Sequence, residues 1–114
     1  MSKTLFEKIA AREIPATIVY EDDLVLAIRD INPQAPHHVL FVPTRHIATL
    51  NELDAGNADL VGKLTLAARE YAERNGIADD GWRIVMNCNE GAGQSVFHIH
   101  LHLLGGRQMN WPPG

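Results

Sequence analysis

The chain has 114 residues and a formal net charge of −4. That length suits one domain with its own core, and an acidic balance without any basic run excludes the usual footprint of a nucleic-acid backbone binder. The single Cys88 excludes an intramolecular disulfide; no signal peptide and no apolar run of membrane-spanning length is evident, so the chain reads as cytoplasmic and soluble, with no nucleic-acid or membrane partner.

Thr4-Leu5-Phe6-Glu7 has the form of a capping box. It predicts a short helix with Phe6, Ile9 and Ala10 on one side and Ile14-Pro15 beyond its end. Thr17 to Glu21 and Leu24 to Asp30 are rich in β-formers and flank Asp22-Asp23, which predicts a hairpin. The prolines of Asn32-Pro33-Gln34-Ala35-Pro36 forbid a regular helix or central strand there. His38 to Val42 is continuously apolar and bounded by Pro43, as expected for a strand covered on both faces. Between Asn57 and Asn75 the period becomes helical: Leu60, Val61, Leu64, Ala68, Tyr71 and Ala72 mark one face, and Gly76 is placed to stop the helix. Trp82 to Asn87 and Val96 to Leu104 read as strands joined by the glycine-containing loop Asn89 to Ser95. Gly105 to Gly114 has no period. The order predicts an α+β fold: a five-stranded, mostly antiparallel sheet with one long and one short helix packed on one face.

Three of the chain's six histidines, His98, His100 and His102, alternate with Ile99, Leu101 and Leu103. In a strand, alternation sends the imidazoles to one face and the aliphatics to the other. Stability would ask for Val or Leu on both faces, or for Thr, Lys or Glu on a solvated one. A lone sheet histidine usually does no more than satisfy hydrogen bonds, but crowding several such rings has a cost. One chemical reading is zinc. The outermost pair lies roughly 13 Å apart along an ideal strand, so one ion would need a ligand from elsewhere, such as His38 or His46. No Cys-x-x-Cys, no His-Glu-x-x-His and no carboxylate within the row supports it.

The other reading is attack by a neutral imidazole on phosphorus, assisted by a second ring about 7 Å along the face. Gly91-Ala92-Gly93-Gln94-Ser95 enters the row directly, and its glycines allow backbone N–H groups to turn toward an anion, although such a loop is most often only a turn. It is not a P-loop, because Gly-Lys-Ser/Thr is absent and a strand follows. Ser95 stands an odd number of residues from His98 and reaches the site only if the chain is irregular there. Of His37 and His38 a regular strand turns only one to the site, and periodicity does not say which. By themselves Asp30 reads as a turn cap, His46 as a surface loop residue, and Trp82 and Trp111 as packing anchors.

The segment His98-Ile99-His100-Leu101-His102-Leu103-Leu104 resembles the His-φ-His-φ-His-φ-φ signature of the histidine triad (HIT) superfamily. Asp30 to Pro36, His38 to Pro43 with His46, Gly93-Gln94-Ser95, and Gly105 to Met109 with Trp111-Pro112-Pro113-Gly114 resemble its Hint branch, the nucleoside phosphoramidases. The resemblance spans the chain as one HIT domain over 1–114, with 105–114 as its C-terminal tail. It implies hydrolysis of purine nucleoside 5′-phosphoramidates through a nucleotidyl-histidine, releasing AMP or GMP, with no cofactor and no metal. His100 matches the nucleophile, His102 the histidine that serves the phosphate and leaving group, and His98 and His38 the supporting histidines.

Asn87, Gly93, Gln94 and Ser95 match phosphate and leaving-group contacts. Asp30 and Ile31 match the nucleoside lining, the carboxylate taking ribose hydroxyls, and Phe6, Ile28 and Leu40 would add apolar walls. The family is homodimeric, with two sheets joined into one, and its tail would bring Trp111 to the partner's site. Ile28 stands where relatives often carry an aromatic, Arg29 is charged, and Asn32 stands where other members have Ser. A metal-binding protein using strand histidines, and a nucleotide-binding scaffold with little catalysis, are the alternatives.

Overall fold

The computed structural model describes residues 3–114. Helix α1 (Leu5–Ala10) begins at the capping box. The Thr4 hydroxyl accepts the Glu7 N–H at 3.1 Å, and Glu7 Oε1 accepts the Thr4 N–H at 2.9 Å, so donors that a helix start leaves free are satisfied reciprocally. Strands β1 (Ile18–Glu21) and β2 (Val25–Arg29) form the expected hairpin. Asp22 Oδ1 closes its turn by accepting the N–H groups of Leu24 and Val25, each at 2.8 Å.

Strand β3 (His37–Pro43) pairs with β2, and helix α2 (Ala58–Arg74) follows. Gly76, just past the end of α2, takes φ +72°, the left-handed conformation that stops a helix. Strands β4 (Trp82–Val85) and β5 (Leu101–Gly105) complete a five-stranded sheet in the order β1-β2-β3-β5-β4, with every neighbouring pair antiparallel.

Side-chain alternation divides the sheet into two faces. On one, Val25, Ala27, Val39, Phe41, Leu101 and Leu103 pack with Leu64, Ala68, Tyr71 and Ala72 of α2. On the other, Leu26, Ile28, Leu40 and Val42 pack with Phe6 and Ile9 of α1. The helices therefore cover opposite faces rather than the single face suggested by element order. The reason lies in β2 and β3, which are apolar on both sides and would leave one face in water if both helices shared the other.

Two strands are shorter than the sequence pattern. β4 stops at Val85 instead of Asn87, and β5 starts at Leu101 instead of Val96. The pairing of β5 with β3 ends at Leu101 opposite Phe41, and Pro43, two residues on, has no N–H with which to extend the ladder. Upstream the chain finds other partners: the Ile99 N–H donates to the Ile47 carbonyl at 2.8 Å, and the Pro43 carbonyl accepts from a histidine ring. Of the histidine row only His102 is a strand residue. Register sets His102 opposite Leu40 and His38 opposite Leu104, so both rings stand on the α1 face. His37 stands on the α2 face, with Nδ1 2.7 Å from the Tyr71 hydroxyl.

Candidate active site

The three rings of the row gather on the α1 side although two of them precede the strand. Phe6 of α1 meets His98 and His100 edge-on, with centroids 5.6 and 5.0 Å away. His100 and His102 lie 4.9 Å apart, closer than an extended chain would hold them, because the backbone has left the ladder between them. Ile99, Leu101 and Leu103 are buried, as the alternation predicts.

Hydrogen bonding determines where each ring carries its proton. The Gln34 N–H donates to His38 Nδ1 at 3.0 Å, so the neutral His38 ring has its hydrogen on Nε2. That atom faces His102 Nδ1 at 2.9 Å and Asp30 Oδ2 at 3.4 Å. His102 Nδ1 accepts, and the His102 hydrogen sits on Nε2. His100 Nδ1 donates to the His98 carbonyl at 2.9 Å, which leaves the lone pair of His100 on Nε2.

His98 is only 1 % exposed; its Nε2–H donates to the Pro43 carbonyl at 2.7 Å and its Nδ1 accepts from the Thr4 hydroxyl at 2.8 Å. Burial lowers the pKa of His38, against the opposing pull of Asp30, and burial likewise lowers that of His98. His102 is pushed down to about 4, first by burial and then by the like charges of His100 and His38. Near pH 7 these three rings are neutral.

Beside the rings lies a cavity of about 300 Å³. Its apolar end is formed by Phe6, Ile9, Ile28 and Leu40, and its polar end by Asp30, Ser95, His100 and His102. Phe6, Ile28 and Leu40, which the resemblance suggested as apolar walls, all line this cavity, and His38 rather than His37 stands on the same face of the sheet. Ser95 reaches it because residues 95–100 lie outside the ladder. Ile31 lines the rim and is 96 % exposed. Asp30 has a structural task as well: its Oδ1 caps the following turn by accepting the Asn32 N–H at 2.8 Å.

The glycine loop is tied together by its own hydrogen bonds. Gln94 is buried and its side chain is spent on main chain, accepting the Asn89 N–H at 2.7 Å and donating to the carbonyls of Ala48 and Val96 at 2.8 and 3.0 Å. The N–H groups of Gly93 and Gln94 also bond inside the loop, to Glu90 and Asn89. Gly93 holds φ +95° close to the Asn87 amide, and neither residue lines the cavity. Ser95 is the residue that this loop brings to the rings. Trp111 is 82 % exposed and stands away from its own chain's cavity, while Arg83 anchors the tail by donating to the Asn110 carbonyl at 2.9 Å.

Two contributors escaped the sequence. Thr4 was legible only as a helix cap, although it also holds His98. His46 is exposed, as expected of a loop residue, yet its ring lies 5.2 Å from His98 and its Nε2 donates to the Phe97 carbonyl at 2.8 Å.

Asp30, His38 and His102 bring ligand atoms within 4.8 Å of one another, so these are the residues that would hold a metal. Their donor chemistry does not fit one as arranged. His38 Nδ1 is already an acceptor for Gln34, so its Nε2 carries a hydrogen and has no lone pair to give.

The antiparallel sheet, the paired helices and the clustered histidines define a HIT-domain protein. Residues 11–109 match the HIT domain family, and the chain belongs to it. It is 51% identical over 107 residues to the purine nucleoside phosphoramidase of Escherichia coli (strain K12), covering 94% of this chain and 90% of that protein. It is 50% identical over 115 residues to the 14 kDa zinc-binding protein of Zea mays, covering 99% of this chain and 89% of that one. The crystal structure of the HIT family hydrolase from Legionella pneumophila Philadelphia 1 superposes with a TM-score of 0.96 at 53% identity, covering 98% of this chain and all, 100%, of that chain.

Proposed function

We propose that the protein hydrolyses purine nucleoside 5′-phosphoramidates, with His100 as nucleophile. The observation that carries this reading is the bond from His100 Nδ1 to the His98 carbonyl, which leaves the Nε2 lone pair free beside His102 at the polar end of the cavity. A base would rest on Phe6, Ile28 and Leu40, the ribose hydroxyls on Asp30 with Ile31 at the rim, and the phosphate between Ser95, His100 and His102.

A bound anion favours the protonated form of His102 over the neutral form that burial imposes on the free protein. In the first step His100 Nε2 bonds to phosphorus as the P–N bond to the amine breaks. The amine leaves with that electron pair and takes a proton from His102 Nε2. In the second step water attacks phosphorus, His102 takes a proton from it, and the P–Nε2 bond breaks to release the nucleoside monophosphate and free His100. In the free protein His38 Nε2–H bonds to His102 Nδ1; when His102 gains its second proton there, the His38 hydrogen turns to Asp30 Oδ2, 3.4 Å away, and His98 holds His100 throughout. Asn87, Gly93 and Gln94 act through the loop that carries Ser95.

In the same reading the protein is a homodimer: exposed Ile84 on the edge strand β4 and exposed Trp111 are surfaces a second copy would cover, with Trp111 reaching the partner's leaving group. Sedimentation of a species of twice the chain mass tests this part. For the chemistry, His100→Ala abolishes hydrolysis of adenosine 5′-phosphoramidate while AMP still binds. Turnover close to wild type in that variant, or a trapped nucleotide mapped to another residue, overturns the assignment.

A further inference from the structure

His98 is held on both sides of its ring. One holder is the carbonyl of Pro43, which ends β3; the other is the hydroxyl of Thr4, ninety-four positions away in the chain. The Thr4 hydroxyl has two jobs at once: it accepts the Glu7 N–H that starts α1, and it donates to His98 Nδ1. A carbonyl accepts only, so His98 Nε2 must carry the ring hydrogen, and Nδ1 must therefore accept. Thr4 supplies the one donor that this tautomer requires. The carbonyl of His98 in turn orients His100.

We infer that Thr4 is a positioning residue for the site: its hydroxyl fixes the tautomer and placement of His98, and through the His98 carbonyl the aim of His100. This inference rests on the hydrolytic reading above for its kinetic consequences, but the His98 tautomer does not depend on that reading. Helix α1 is short, and its N-cap ties its formation to the assembly of the rings, with Phe6 packed against both His98 and His100. A capping function alone would be met equally by Asp. The contact with His98 would not, because a carboxylate cannot donate.

The charged and titratable groups around His98 are few. Glu7 from α1 favours its protonation, while His46 beyond β3 and His100 in its own segment oppose it. An added carboxylate at position 4 would tip this balance. Thr4→Asp therefore keeps a good cap but demands a hydrogen on His98 Nδ1, and with Nε2–H still bound to Pro43 the ring becomes a cation.

The test compares Thr4→Val, Thr4→Ser, Thr4→Asp and Glu7→Ala by steady-state kinetics across pH and by ¹⁵N chemical shifts of the His98 ring. In Thr4→Val, kcat falls about tenfold, the equivalent of one lost hydrogen bond, with KM within about twofold. Thr4→Ser restores kcat, and Glu7→Ala, which removes only the returning half of the capping box, leaves it within about twofold. Thr4→Asp stays folded and raises the titration midpoint of His98, adding a limb to the pH profile of kcat.

Three results would overturn the inference: unchanged His98 shifts and kcat in Thr4→Val, an equal loss of kcat in Glu7→Ala and Thr4→Val, or a wild-type pH profile and His98 titration in Thr4→Asp. Should Thr4→Val not fold, the comparison of Thr4→Asp with Thr4→Ser decides. If wild type cleaves no phosphoramidate, the hydrolytic reading falls, and the ring shifts still decide the role of Thr4.

Discussion

The two faces of the sheet have opposite designs. The face under α2 is an apolar core with open grooves only along the helix edge, beside Tyr20, Lys63 and Glu70, and the polar pair of His37 and Tyr71 satisfies itself there. The face under α1 is covered by a helix of only 6 residues, and the area this helix leaves open becomes a cavity edged with histidines. A long amphipathic helix supplies stability, and a short one leaves room for a ligand. Substitutions under α2 should therefore act on folding, and substitutions under α1 on chemistry.

The sharpest break of this comparison is His100→Ala, which should cost roughly a thousandfold or more in turnover with little change in melting temperature, read by kinetics and calorimetry on one preparation. Next is Phe41→Ala on the α2 face. Phe41 is 1 % exposed, and its loss should destabilise the protein by about 3–5 kcal/mol in urea titrations while turnover per folded molecule is retained. The adjacent histidines sharpen the comparison further, since they point to opposite faces. His38→Phe removes the donor to His102 Nδ1 and should lower kcat by about tenfold or more. His37→Phe should cost about 1 kcal/mol of stability and leave kcat alone. If His37→Phe slowed turnover as much as His38→Phe, the division of labour between the faces would be lost.

The smallest effect is a pH dependence confined to the α1 face. His38, His98 and His102 have folded pKa values below the unfolded value of 6.5, His102 at about 4. Between those limits the unfolded chain binds more protons than the folded one, so stability rises with pH there. It is full above about pH 6.5 and is lost as pH falls toward about 4. His102→Gln should flatten this slope in denaturation midpoints, whereas His37→Phe should not.

Much of this was legible from local pattern. The capping box at Thr4, the hairpin around Asp22-Asp23, the span of α2 and the sidedness of the histidine row each depend on residues a few positions apart. The walls Phe6, Ile28 and Leu40 and the nucleophile candidate His100 came from resemblance and stand together at one cavity. What local pattern missed has a common cause. Phe97 to Leu103 alternates strictly, yet alternation cannot say where a partner strand stops, and β3 stops at Pro43. Gln94 is matched to a phosphate or leaving-group contact by resemblance, and local pattern gives no sign that its side-chain amide also bonds to the carbonyls of Ala48 and Val96 and the N–H of Asn89.

The sequence by itself determined the elements, their order and which side of the histidine row is polar, because period and capping are properties of neighbouring residues. Tertiary structure alone decided the placement of the helices on opposite faces and the proton positions on each ring. Those depend on groups brought together from distant parts of the chain: Gln34 and Asp30 at His38, Pro43 and Thr4 at His98. A histidine's chemistry is set by what its two nitrogens touch, and no spacing in the sequence records that contact.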